Sequence, residues 1–144
     1  MDILIREIIA SPRPGHPAES QTILAHIAVS GFGPRQGDLD RHLVKRVQAE
    51  GQWAPETTAD DYLDCLHAAA RHPHAQLVLF EDRGGTIGAV IAPTRFVVPT
   101  RLLGRNLAPL VLVVYSADRG MIITGYQFTQ FARIRVPDTA QWLR

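Results

Sequence analysis

Two helix-period segments followed by a long run of alternating, hairpin-punctuated strands predict an α+β fold. Helices segregated in sequence from an antiparallel run pack on one face of the sheet and leave the opposite face partly free to bind. An extra β-hairpin is expected at the N-terminus. Size agrees: 144 residues, 46% apolar and 20% charged, suit one globular domain that buries a core without disulfides. That domain spans 1–144, with N-terminal strands and a proline-rich loop over 1–36, two helices over 37–73 and antiparallel strands over 76–144.

Residues 1–10 read as a strand, ended by the Ser-Pro-Arg-Pro-Gly-His-Pro break at 11–17, where the prolines forbid regular structure. Thr22 to Ser30 alternates, with Ile23, Ala25, Ile27 and Val29 on one face, and reads as a second strand. After a glycine-rich loop the period changes. Asp38 is placed to cap a helix running to about Glu50, with Leu39, Leu43, Val44 and Val47 as its apolar stripe and Gly51 just past its end. Thr58-x-x-Asp61 approximates a capping box for a second helix. Tyr62, Leu63, Leu66, Ala69 and Ala70 follow its period, and Pro73 stops it. Strands are then expected over 77–81, 86–92, 96–98, 110–116, 121–128 and 132–136.

Composition narrows the functional classes. A net charge of +1 offers no global basic field, so a nucleic-acid site has to be a local patch. The single cysteine, Cys65, excludes an internal disulfide and suits a reducing compartment. No run approaches the roughly 20 apolar residues of a membrane span. The opening Met-Asp-Ile-Leu-Ile-Arg-Glu is unlike a secretory signal, so the expected address is the cytoplasm, of the producing cell or of one the protein is delivered into. Cys65, His67, His72 and His74 lack the paired spacing of a zinc site. No phosphate loop, dinucleotide fingerprint or nucleophile elbow occurs either, so neither metal nor cofactor is expected.

The chemistry concentrates in Val113–Phe128, two strands flanking a Ser-Ala-Asp-Arg-Gly turn. Thr124 and Tyr126 lie two apart, so their hydroxyls share one sheet face, able to donate to a phosphate or oxyanion. Tyr115, on the first of these strands, joins them as a substrate-binding residue. His42 sits on the first helix four residues before Arg46, at the edge of the apolar stripe. A nearby cation favours the neutral imidazole, which suits a general base. Arg95, Arg101 and Arg105 could form a phosphate rim, and Arg133 and Arg135 share one face of the last strand.

These elements resemble the barnase–EndoU–colicin–RelE superfamily of small metal-independent ribonuclease toxins, especially its phage-associated and polymorphic-toxin branches. The matching motifs are His-Leu-Val-Lys-Arg at 42–46, Thr-x-x-Asp-Tyr at 58–62 and Ile-Thr-Gly-Tyr at 123–126. The resemblance implies RNA cleavage by ribose 2′-hydroxyl attack on the adjacent phosphate. It makes His42 the acid/base, sets Thr124 and Tyr126 against phosphate or base, and gives Lys45 or Arg46 the charge. Arg95, Arg133 and Tyr115 complete the expected substrate-binding set. RNA is the implied substrate, and an antitoxin or immunity protein the implied partner. The other expectation is a non-catalytic binding or interaction domain on the same scaffold: an inactive toxin relative, an immunity protein or a phage accessory protein.

Overall fold

The alternating second half of the chain builds the sheet. A computed structural model, describing residues 2–10, 17–138 and 140–143, places there β3 (Gln76–Asp82), β4 (Gly85–Pro93), β5 (Leu110–Ser116) and β6 (Met121–Phe128) as an antiparallel meander. The tight turns follow from residues that tolerate left-handed backbone: Arg83 at φ 52° and Gly84 at φ 79° between β3 and β4, and Gly120 at φ 66° before β6. Two short strands extend the sheet to six, in the order β2-β6-β5-β4-β3-β8. They are β2 (Gly31–Phe32), parallel to β6, and β8 (Gln141–Trp142), antiparallel to β3. The fold is α+β, as the pattern predicts, although the sheet is mixed rather than purely antiparallel.

One face is covered by helices. In α4 (Ala59–Arg71), Thr58 and Asp61 form the reciprocal capping box read from the sequence. Tyr62, Cys65, Leu66, Ala69 and Ala70 are buried at helical spacing. They pack against Leu77, Val90, Val111, Val113 and Ile122 of the sheet. Complete burial of a Leu or Val side chain stabilises by about 1.5–3 kcal/mol, so this stripe dominates the layer. The preceding helix starts at Asp38 as α3 (Asp38–Val44) and widens into a π-helical turn over Lys45–Ala49, closed by Glu50 N–H donating to the Lys45 carbonyl. Gly51, at φ 64°, ends it.

The N-terminal expectations do not hold. The segment read as a second strand is helical, within α2 (Pro17–Ile27). Leu24, Ile27 and Ala28 are buried, while Ala25 and Val29 face solvent, Val29 at 74% exposure. Burial at i, i+3 and i+4 is a helix period, and it wins because α2 lies against α4 over the same core. The 1–10 segment forms only a three-residue strand, β1 (Asp2–Leu4), before α1 (Ile5–Ala10). No N-terminal hairpin exists among the described residues. Instead β1 pairs antiparallel with β7 (Arg133–Arg135) as a separate two-stranded ribbon. The expected strand at 96–98 is also replaced, by the helical turn α5 (Thr94–Val97). The proline-rich break falls mostly outside the described residues.

The ribbon alters the second sheet face. Ile3, Ile5, Ala132 and Ile134 cover Val78, Ala89, Ile91, Leu112 and Phe128 in a smaller second core. The face expected to be partly free is therefore largely occupied. Its hairpin end keeps a groove of about 600 Å³ lined by Phe80, Ile87, Val114 and Ile123.

The two periods of the α2 segment make opposite demands on neighbouring residues. Replacing Ile27 with Ala is expected to destabilise by about 2–5 kcal/mol, and Val29→Ser by less than about 0.5 kcal/mol. Urea denaturation of the two variants measures the contrast, which an alternating strand would erase.

Candidate functional site

The site forms where the first helix meets the outer margin of β6. Strand β2 pairs only with Met121 and Ile122, so the backbone beyond them lacks a strand neighbour on that side. Side chains take its place. The Gly125 carbonyl accepts from Arg46 Nε at 2.7 Å and from the Tyr62 hydroxyl at 2.5 Å. Two residues further, Gln52 mimics a strand: its Nε2 donates to the Gln127 carbonyl at 2.8 Å, and its Oε1 accepts from the Gln127 N–H at 2.7 Å. The Gln127 amide answers, donating to the Gln52 carbonyl at 2.9 Å and accepting from Ala108 N–H at 2.9 Å. Few backbone groups can stay buried and unpaired, and Arg46, Tyr62 and Gln52 supply partners to Gly125 and Gln127 of this margin.

Gly125 lets α4 approach this closely. A Cβ there would meet Leu66 Cδ1 at 2.6 Å, so a side chain at 125 would force the Leu66 side chain to shift.

Arg46 is 4% exposed and reaches from the first core round the margin to the second. Its Nη2 donates to Thr124 Oγ1 at 2.9 Å, its Nη1 is ion-paired with Glu50, and its guanidinium lies 5.1 Å from the Tyr126 ring centroid. His42, half-buried, stands with Nδ1 3.1 Å from the same Thr124 oxygen, its ring edge-on to Phe32 at 5.0 Å. Thus His42, Arg46 and Thr124 share one hydroxyl, and Tyr126 flanks it through Arg46.

The electrostatics follow from burial and from Arg46. His42 is held below its ordinary value of 6.5, first by desolvation and then by the Arg46 charge, with Lys45 and Arg41 adding to it and Asp38 opposing. A guanidinium only donates, so Thr124 Oγ1 accepts from Arg46, and we assign its own proton to His42 Nδ1. That assignment gives a neutral imidazole carrying its proton on Nε2. Burial raises the Tyr126 hydroxyl and pushes Tyr62 up to about 12, so both stay protonated donors at neutral pH.

The other expected residues lie apart. Lys45 is exposed on the π turn beside His42. Arg95, on α5, stacks over Phe96 at 4.7 Å, and Arg133 is exposed on the β1–β7 ribbon. Tyr115 is 3% exposed in the helix-side core, its hydroxyl bonded to His26. Among the described residues, none of these last three bonds to His42, Arg46 or Thr124. Cys65 is buried, its thiol raised to about 11 by burial, and no group of His, Cys, Asp and Glu among the described residues could hold a metal ion. No described helix is long and apolar enough to cross a membrane.

Sequence reasoning missed Glu50, Gln52, Gln127 and Phe32. Only Glu50 carried a signal, because it continues the His42, Arg46 spacing by another four residues.

No protein-family model matches this chain, and no curated protein or solved structure is significantly similar to it.

Two measurements test this geometry. The His42 ring should titrate by NMR with a midpoint below 6.5. Because the folded imidazole binds protons less tightly than the unfolded one, the stability linked to it is complete above 6.5 and lost as pH falls through the folded value. A midpoint above 6.5 would contradict the burial described. Separately, Gln52→Ala strips both partners from the Gln127 backbone and is expected to lower unfolding free energy by about 1–3 kcal/mol in chemical denaturation.

Proposed function

We propose that this protein is a metal-independent endoribonuclease of toxin type, cleaving RNA by 2′-hydroxyl attack with His42 in acid/base catalysis. The observation that carries the reading is the 3.1 Å approach of His42 Nδ1 to Thr124 Oγ1, with Arg46 on the same oxygen. A neutral imidazole near its working pH is the group such chemistry needs for proton transfer. Cations beside it offer stabilisation for charge developing on the phosphate. Because Arg46 is buried and paired with Glu50, it serves from behind, orienting Thr124. Exposed Lys45 and Arg41 beside His42 are the cations within reach of a phosphate. Tyr126 borders the same seat. RNA is then the substrate, and the cytoplasm the place of action. A protein antitoxin or immunity partner is required wherever the active enzyme is made.

The second reading is a non-catalytic interaction domain. The exposed aromatics Phe96 and Phe131, at 63% and 59%, favour it as contacts for another macromolecule.

Induced expression separates the two. The nuclease reading expects growth arrest with fragmentation of total RNA, both abolished by His42→Ala, and fragments ending in 2′,3′-cyclic phosphate. Unaffected growth with intact RNA supports the interaction domain. For the purified protein, Lys45→Ala should weaken RNA binding and reduce the slope of log K against log salt by about 1. An unchanged slope removes Lys45 from the site.

A further inference from the structure

The hydrogen-bond valences around Thr124 restrict which atom can receive a proton from a substrate. A neutral imidazole has one ring nitrogen with a free lone pair. With the ring proton on Nε2 that nitrogen is Nδ1, which faces the Thr124 hydroxyl at 3.1 Å. The other nitrogen carries the ring proton and cannot act as a base. Thr124 Oγ1 has two acceptor positions, and one is filled by Arg46 Nη2 at 2.9 Å. No other group among the described residues fills the second, and Thr124 is only half-buried.

From this geometry we infer that the Thr124 hydroxyl is a proton relay, standing between the substrate hydroxyl and His42. The inference rests on the ribonuclease reading above and specifies its proton path. As the ribose 2′-oxygen attacks phosphorus, its proton passes to Thr124 Oγ1 while the Oγ1 proton passes to His42 Nδ1. The P–O2′ bond forms and the P–O5′ bond breaks. The leaving 5′-oxygen takes a proton from water, and the imidazolium returns its extra proton to solvent. Thr124 begins and ends as a neutral hydroxyl, with no covalent intermediate. Arg46 holds the oxygen in place and favours the partial negative charge that Oγ1 carries during transfer. Tyr126 cannot replace it, because burial raises the pKa of its phenol and no hydrogen bond joins that phenol to His42.

The test uses the 144-residue chain and a labelled single-stranded oligoribonucleotide of mixed sequence, comparing wild type with Thr124→Ser, Thr124→Val and His42→Ala. The relay predicts that Thr124→Ser retains kcat within about tenfold, because it keeps the hydroxyl. Thr124→Val should lose about 10²–10⁴ in kcat with little change in KM, the usual range for a positioned proton-transfer group. Rates in mixed light and heavy water should show two protons in flight for wild type. NMR titration of His42 in Thr124→Val reports whether the ring is still in place, so a loss through misfolding is visible. Full activity in Thr124→Val overturns the relay and leaves the nuclease reading intact, with His42 acting directly. A phosphorylated Thr124 trapped during turnover also overturns it, making Thr124 a nucleophile. Wild-type protein that leaves the oligonucleotide uncut defeats both.

Discussion

A buried guanidinium organises the margin on which the candidate site stands. Removing a charged group from water is costly unless every polar atom finds a partner. Arg46 meets that demand by bridging parts of the chain far apart in sequence: the Gly125 carbonyl, the Thr124 hydroxyl, the Glu50 carboxylate and the face of Tyr126. Each partner is in turn fixed by Arg46, so helix position, strand margin and the orientation of Thr124 are coupled. The π turn over Lys45–Ala49 belongs to the same arrangement, lying where Arg46 leaves the helix for the strand. A lysine could not do this, having a single point of charge and no planar fork.

Both faces of the sheet are committed to packing, one under α2 and α4 and the other under the β1–β7 ribbon. Reactive side chains are consequently displaced to the rim. The margin of β6 combines solvent access with support, because on the inner side the strand pairs with β5 at every residue but Ile123, where a bulge interrupts the register. Residues there gain the low polarity that depresses the His42 pKa without being sealed from solvent.

How much of this the sequence disclosed depended on how many residues each signal spanned. The α4 capping box, the Gly51 stop and the two hairpins are local, and the structure has them where the sequence puts them. Residues 22–30 misled because Ile23 and Ile27 satisfy both a period of two and a spacing of four. Exposed Val29 decides for the helix only once α4 is present as a packing partner. Strands β2 and β8, two residues each, are too short to show any period. At the site, His42 and Arg46 announce a shared helix face, whereas the distance from His42 to Thr124 spans 82 positions of sequence. It came within reach only through the late-strand motif. The Gln52–Gln127 exchange had no forewarning, because an amide side chain acquires that role from an unpaired strand margin that only the assembled sheet possesses.

That exchange bears on the behaviour of the protein in concentrated solution. An uncovered row of peptide groups invites another chain to add a strand, and repetition of the event yields ordered aggregates. With Gln52 seated against Gln127, a newcomer finds those donors and acceptors already engaged. Strand addition along this margin would first have to displace that side chain, together with Arg46 and Tyr62 at Gly125.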